Sequence, residues 1–437
     1  MRILQIVHGL LPESLGGVEV HVHAITRDLV AAGHDLHVFA RSSAPGQPQG
    51  TFTTERGRPS VTRVAYRWEA IENFDDIQRC PPMATSLGRF LDERAAAGER
   101  FDIAHIHHLT GMSIDAVGEL RQRGIPVVFT LHDYWTFCPR GQLFHPDGTF
   151  CGHVEVGRCG NCLHRTWPGL VADDEAGRAA ATATHARARA LFAQIDQLCV
   201  PSLRALPPLQ ALGVDPGGAI VVEYGIDTAA FTAVPEVVAD PRRPLRIGCF
   251  GTLIPNKGIH VLVEAALNLP PGLVEIRLHG NTVSYHGDTS YLTRTFASLR
   301  AGGEVTYFGP YRPEAMPALL ADIDVIAAPA LWAETYGIGV REGLRAGRAA
   351  LCSRIGGLQD AVTDGVEGLV LPAGDVAAWS RAMGALARDR ARVTRMGAAA
   401  RRCGRPHHAV AEQLAAIYQN VCARETRSCD PAAAAQS

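Results

Sequence analysis

The chain has 437 residues, more than one hydrophobic core usually organises, so two domains are expected, each large enough to fold without a disulfide or metal staple. Its formal net charge is −2 and it carries no Lys/Arg block, which argues against a polyanion-binding protein, so no nucleic-acid partner is expected. No apolar run is long enough to span a membrane, and the opening MRILQIVHGLLPESLGG is interrupted by His8 and Pro12, so a cytoplasmic chain without a signal peptide is expected.

In chain order, RILQIVH reads as a buried strand, 18–32 as a helix and DLHVFA as a second strand. Arg89, Arg94 and Arg100 lie on or beside an amphipathic segment without forming one stripe, which leaves peripheral association with a membrane surface open. DIAHIHH, a helix over 111–123 and IPVVFTL continue the alternation, and continuous apolar strands separated by helices imply a parallel sheet covered on both faces. The rhythm breaks over 134–172, where Gly, Pro, Cys and His follow no period, and this stretch reads as an insertion. A helix over 174–193 and the strand DQLCVPS follow it.

A Pro-rich polar stretch at 234–244 precedes a second series: LRIGCFG, a helix over 259–269, VEIRLHG, a helix over 291–300, VTYFG, a helix over 313–320 and DVIAAPA. A helix after Gly337, then AALCS and GLVLP, complete it. The expected class is α/β with two Rossmann-like domains, 1–218 and 219–405, then a C-terminal helix over 406–423 and a disordered tail over 424–437.

Two stretches carry the chemistry. In PALWAETYGIGVREGLRAGRAALCSRIGG, Glu334 and Glu342 stand eight apart across a loop whose Gly337 and Gly339 let backbone N–H groups approach a ligand. The helix that follows turns its positive N-terminus toward a phosphate, and a carboxylate accepting two hydroxyls suits a ribose or a hexose, so the segment describes a nucleotide-sugar pocket. In DIAHIHHLTG, histidines crowd the C-terminal end of a parallel strand, where doubly wound folds place ligands. Alternation sends His105 and His107 to one face and His108 to the other, while His132 and Asp133 end the next strand beside them.

These segments together resemble the retaining family-4 glycosyltransferases, which have the GT-B fold of two Rossmann-like domains facing across a cleft. Gly16 and Gly17 in SLGGVEVHV match that family's first glycine loop, FGTLIPNKG its strand and Lys-Gly segment, VVEYGID its Asn-Gly-Val-Asp stretch, and IGGLQDAVTDGVEGLVLPAGD its C-terminal run. The resemblance implies transfer of a sugar from a nucleotide-diphosphate sugar, the co-substrate, to a hydroxyl of a sugar, lipid-linked or small-molecule acceptor with retention of anomeric configuration. It implies that Glu334 contacts the sugar, Glu342 holds the ribose, and Thr335, Tyr336, Gly337 and Ile338 line the donor between them. It further implies that Gly16 and Gly17 approach the donor phosphates, that Lys257 neutralises the departing diphosphate, and that His107 lies near the transferred sugar. His108 is the competing register for that histidine, and with His132 and Asp133 it falls on the acceptor side. The family's usual arginine is replaced by Thr252, and no catalytic metal is expected.

Cys138, Cys151, Cys159 and Cys162 have spacings x12, x7 and x2, ending in a C-x2-C hook. Four thiolates in a reduced compartment suit a structural, tetrahedral zinc that would offset the ordering entropy of the insertion, with His145, His153 and His164 as alternative ligands. Reduced thiols and disulfides are the other readings. The competing enzyme classes are an NAD-dependent oxidoreductase, disfavoured because neither domain opens with G-x-G-x-x-G, and a nucleotide-sugar epimerase, disfavoured by the paired glutamates.

Overall fold

The computed structural model describes residues 1–43, 46–238, 240–301 and 304–428. The chain divides into two compact units, the first comprising Met1–Pro146, Cys151–Gly225 and the segment from His407 onward, the second Ile226–Pro406 with Asp147–Phe150. Among the described residues, no helix is long and apolar enough to cross a membrane.

The first unit holds β1 (Arg2–Val7), β2 (Asp35–Ser42), β3 (Phe52–Glu55), β4 (Ser60–Ala65), β5 (Ile103–Ile106), β6 (Val127–Thr130), β7 (Gln197–Val200) and β8 (Ile220–Val221). They form one sheet in the order β3-β4-β2-β1-β5-β6-β7-β8, parallel except for the β3–β4 hairpin. The chain runs outward from β1 on one side and returns to β5 on the other, so the strand order reverses beside β1. Polar Gln5 in β1 is fully buried, and its side-chain carbonyl accepts a hydrogen bond from the hydroxyl of Thr26 on the covering helix Gly17–Ala31. That helix turns Val22, Ile25 and Leu29 inward at helical spacing.

The second unit is entered through the two-residue strand β9 (Gly225–Ile226). Its strands are β10 (Leu245–Phe250), β11 (Val274–His279), β12 (Val305–Gly309), β13 (Val325–Ala328), β14 (Ala349–Ser353) and β15 (Gly368–Leu371). The all-parallel order β12-β11-β10-β13-β14-β15 reverses between β10 and β13. Ile247, Ile276, Val325 and Leu351 of the sheet meet Leu262 and Met383 of its covering helices in one core.

The C-terminal helix runs His407–Ser428, past the end expected at 423, and residues 429–437 lie outside the described residues. It belongs to the first unit, where Val410, Leu414, Ile417, Tyr418 and Val421 form one buried stripe against Ile3, Ile25, Leu29 and Ile103.

The cysteine-bearing insertion is more regular than its composition suggests. Its second half contains the helix Val156–Thr166, capped by Glu155, whose carboxylate accepts from the backbone N–H groups of Gly157 at 2.8 Å and Arg158 at 2.7 Å. This helix crosses Asp174–Phe192 at a glycine pair: a Cβ on Gly160 would lie 2.6 Å from the Arg178 nitrogen, and one on Gly177 would strike the Gly160 carbonyl. Leu163, Val171 and Ala181 close a small core with Phe74 and Ile77, and buried Arg140 donates to the Phe144 carbonyl at 2.9 Å and to Thr166 Oγ1 at 2.9 Å.

The structure lends the zinc expectation no support. Among the described residues, no group of three or more His, Cys, Asp or Glu side chains is arranged to hold a metal ion, and no disulfide joins Cys138, Cys151, Cys159 or Cys162. Burial pushes the thiol of Cys138 up to about 11 and those of Cys159 and Cys162 up to about 12. Helix packing, a carboxylate cap and a buried arginine help hold the segment. Because the glycine crossing leaves no room for a methyl group, Gly177→Ala is expected to lower the unfolding free energy by about 2 kcal/mol or more in urea titration. Cys159→Ser, at a half-buried thiol, should cost less.

Candidate functional site

In the second unit the site grows from the reversal of strand order. The loop after β10 carries Lys257 and the loop after β13 carries Glu334, so adjacent parallel strands deliver both side chains to one edge of the sheet. Lys257 Nζ donates to Glu334 Oε1 at 2.6 Å and lies 5.7 Å from the centroid of the Trp332 ring. Gly258, which follows the lysine, has φ +68°, and a side chain there would collide with the Pro329 carbonyl. The lysine is thus held close against the β13 loop.

The segment between the glutamates is locked from both sides. Gly337 takes φ +78° and starts the helix Ile338–Arg345, with Ile338 as its first residue and Glu342 in its second turn. Thr335 and Tyr336 are buried. Buried Arg341 lies 3.6 Å from the Tyr336 ring centroid and donates to the Tyr336 carbonyl, so it braces the loop. Gly357 N–H donates to the Glu334 carbonyl at 2.6 Å, and Gly356, at φ +54°, lies so close to the Ala333 backbone that only glycine fits. Burial pushes the Glu342 carboxyl up to about 8, so at neutral pH it is largely protonated and able to donate a hydrogen bond.

In the first unit, His8 follows β1, His107 and His108 follow β5, and His132 and Asp133 follow β6, all at the carboxyl edge of the sheet beside its own reversal. His107 Nδ1 is 3.1 Å from His132 Nε2, and His132 Nδ1 bonds to the Tyr224 hydroxyl. His105 turns to the same side as His107, their ring centroids 3.9 Å apart, and is fixed by the Tyr418 hydroxyl at 2.7 Å and Thr130 Oγ1 at 2.7 Å. His21 stacks on Tyr224 at 4.4 Å. His107 Nε2 and His21 Nδ1 are buried with no hydrogen-bond partner among the described residues. These neutral imidazoles therefore offer unfilled hydrogen-bonding capacity.

His108 belongs to a separate pair. Its Nε2 is 3.1 Å from Asp133 Oδ1, its ring lies 4.2 Å from that of His8, and His8 Nε2 is 3.4 Å from Glu19 Oε1. Gly16 caps the helix Gly17–Ala31 in extended conformation, and the Glu19 carboxylate folds back against it: a Cβ on Gly16 would lie 2.7 Å from Glu19 Oε2. The carboxylate, fixed by the Ser14 hydroxyl at 2.5 Å, occupies the helix start expected to face donor phosphates.

The structure thus brings together Lys257 with Glu334, His107 with His132, and His108 with Asp133. His8, Glu19, His21, Tyr224, Trp332 and Arg341 had not been assigned from sequence. His8 could have been found, since it stands at the carboxyl end of the first strand, and Trp332 and Arg341 lie within or beside the glutamate segment itself.

Residues 15–230 match the family described as Glycosyltransferase Family 4, and residues 244–389 the family described as Glycosyl transferases group 1. Among curated relatives, D-inositol 3-phosphate glycosyltransferase of Nocardia farcinica is 28 % identical over 393 residues, covering 87 % of this chain and 79 % of its own. Sucrose-phosphate synthase from Thermosynechococcus elongatus superposes with a TM-score of 0.69 at 20 % identity, over 97 % of this chain and 99 % of its own. The catalytic domain of starch synthase IV from Arabidopsis thaliana, bound to ADP and acarbose, gives 0.67 at 14 % identity, over 96 % and 99 %.

Burial is the largest cause holding His8, His21, His105, His107 and His132 below the ordinary histidine range, at about 3 for His21 and His105. The unfolded chain therefore takes up protons first as pH falls below about 6.5, and stability present at pH 7 is lost on acidification. Each such histidine contributes up to about 2 kcal/mol of that loss by pH 5. Urea-unfolding free energies measured from pH 7 to pH 5 should fall steeply, and a flat profile would contradict a neutral buried cluster.

Proposed function

This chain belongs to glycosyltransferase family 4, with the GT-B fold, and from that premise we propose that it moves a sugar from a nucleotide-diphosphate sugar to an acceptor hydroxyl with retention of anomeric configuration. The observation that carries the reading is the Lys257–Glu334 ion pair at 2.6 Å, delivered by two adjacent strand ends beside a glycine-started helix. An ammonium fixed by a carboxylate and an aromatic face is placed before substrate arrives, so it neutralises charge on a departing diphosphate with little reorganisation. Glu334, whose side chain is 12 % exposed, is left to accept hydroxyls of the transferred sugar. Glu342, with Thr335, Tyr336, Gly337 and Ile338, is assigned to the nucleoside end of the donor, whereas Gly16 and Gly17, whose helix start the Glu19 carboxylate occupies, are given no phosphate role.

The first unit's part is assigned to His107, His108, His132 and Asp133 as a hydrogen-bonding surface for substrate hydroxyls. With His107 and His132 held neutral by burial, these two side chains do not supply a cation, and the departing phosphate itself takes the acceptor proton. Catalysis then consists of positioning and of electrostatic stabilisation of the diphosphate. The starch synthase that shares the fold was solved with ADP, and a nucleoside diphosphate is the corresponding product in this reading.

Thermal-shift titration with UDP, GDP and ADP, with NAD in parallel, is expected to give stabilisation by at least one nucleoside diphosphate; a response to NAD alone would sink the proposal. Lys257→Ala and Glu334→Ala are each expected to lower kcat/KM by about a hundredfold or more, with far-UV circular dichroism unchanged. Full turnover in either variant would remove the role assigned to it.

A further inference from the structure

Arg41 ends β2 on the same carboxyl edge as the histidines, one strand from β1 on the side away from β5. Its Nε donates to the His8 carbonyl, which fixes the guanidinium over the start of the glycine loop. Its carbon Cζ lies 5.2 Å from the centroid of the Tyr66 ring. Gly111, beyond β5, closes over it from the other side: with φ +67°, a Cβ there would stand 2.7 Å from Arg41 Nη1 and 3.1 Å from the Tyr66 ring. The fold thus draws one strand end and two loops around a single guanidinium and keeps the space above it free of side chain.

That guanidinium has no carboxylate partner within ion-pair distance among the described residues. Other arginines of this unit do: Arg63 pairs with Glu13 and Glu55, and Arg123 with Asp92 and Glu119. Glu19 is the acidic group whose field reaches Arg41, and it is already engaged by the Ser14 hydroxyl and by His8. Burial of an unpaired cation is unfavourable, and here it holds the arginine below its ordinary range. Such a group is retained where an incoming anion completes the pair, and a planar fork with open N–H groups matches a phosphate in two-point geometry. Tyr66 adds a phenol that burial pushes up to about 12, so it remains a hydrogen-bond donor at neutral pH, and its hydroxyl has no partner among the described residues.

We infer that Arg41, with Tyr66 and the open backbone at Gly111, forms an anion subsite that takes the phosphate ester of the acceptor. The inference rests on the transferase reading above and narrows its acceptor from any hydroxyl compound to one carrying a phosphate. The neutral histidines at His107 and His132 then meet hydroxyls, while Arg41 meets the charge, so one face of the sheet distinguishes two ends of a phosphorylated polyol. A soluble phosphate ester and the headgroup of a phospholipid present the same chemistry to this subsite.

The test is calorimetric titration of the full chain with D-inositol 3-phosphate and with unphosphorylated inositol, alongside sedimentation with phosphatidylcholine vesicles made with and without phosphatidylinositol. We expect the phosphorylated probe to bind at least about tenfold more tightly than inositol, and that preference to vanish in Arg41→Gln and to survive in weakened form in Arg41→Lys. Tyr66→Phe, which keeps the packing, should weaken the phosphate ester several-fold and leave inositol unaffected, so the subsite is testable even if Arg41→Gln folds poorly. Arg41-dependent recovery with phosphatidylinositol vesicles assigns the charge to a lipid headgroup, and Arg41-dependent binding of the soluble ester assigns it to a free phosphate. A phosphate preference unchanged in Arg41→Gln, or none in the wild type by either assay, overturns the inference. UDP titrated into the same wild-type sample reports on the second unit, so failure of the transferase reading is seen separately.

Discussion

The reversal of strand order in each parallel sheet is the constraint on which the rest depends. Where the chain changes direction, the two loops leaving adjacent strands diverge to opposite faces and leave a crevice at the carboxyl ends. In the second unit that geometry brings Lys257, after β10, within 2.6 Å of Glu334, after β13, although 77 residues separate them. In the first unit it groups His8, His107, His108, His132 and Asp133 at one edge. Backbone connectivity thus places charged and titratable side chains before any ligand is present.

The two sites use opposite electrostatics. The second unit keeps a charged pair, stabilised because the lysine is partly exposed and the glutamate has both the ammonium and its own backbone bonds to hold it. The first unit removes charge by burial: its clustered imidazoles bond to one another, to tyrosine hydroxyls and to threonine, which serves them only while they are neutral. Arg41 is the exception at that edge, a cation held in place by a carbonyl and an aromatic ring. The proposed roles follow that contrast, with a diphosphate for Lys257, hydroxyls for the histidines and an anionic group for the arginine.

The insertion shows where composition misleads. Four cysteines and a C-x2-C hook suggest an irregular loop, yet the segment contains an eleven-residue capped helix seated on its neighbour through Gly160 and Gly177. Both glycines were visible in the chain, but their meaning depends on a crossing between helices that no local period announces. The glutamate segment was legible for the opposite reason: its glycines, its helix start and its carboxylates all fall within nine consecutive residues. IGGLQD was legible as a motif, but its purpose, to let Gly356 and Gly357 lie against the backbone of Ala333 to Thr335, was not.

The sequence by itself determined the α/β class and the alternation of buried strands with covering helices, which follow from hydrophobic period, and the glutamate segment, which follows from short-range spacing; the lysine segment was marked by its family resemblance. The tertiary structure alone decided which distant side chains meet. That His8 packs against His108, that Tyr418 from the C-terminal helix reaches His105, and that Gly111 closes over Arg41 all depend on strand order and helix return. The physical reason is that a strand's neighbours are chosen by long-range pairing and core packing, and these leave little mark on any one stretch of chain.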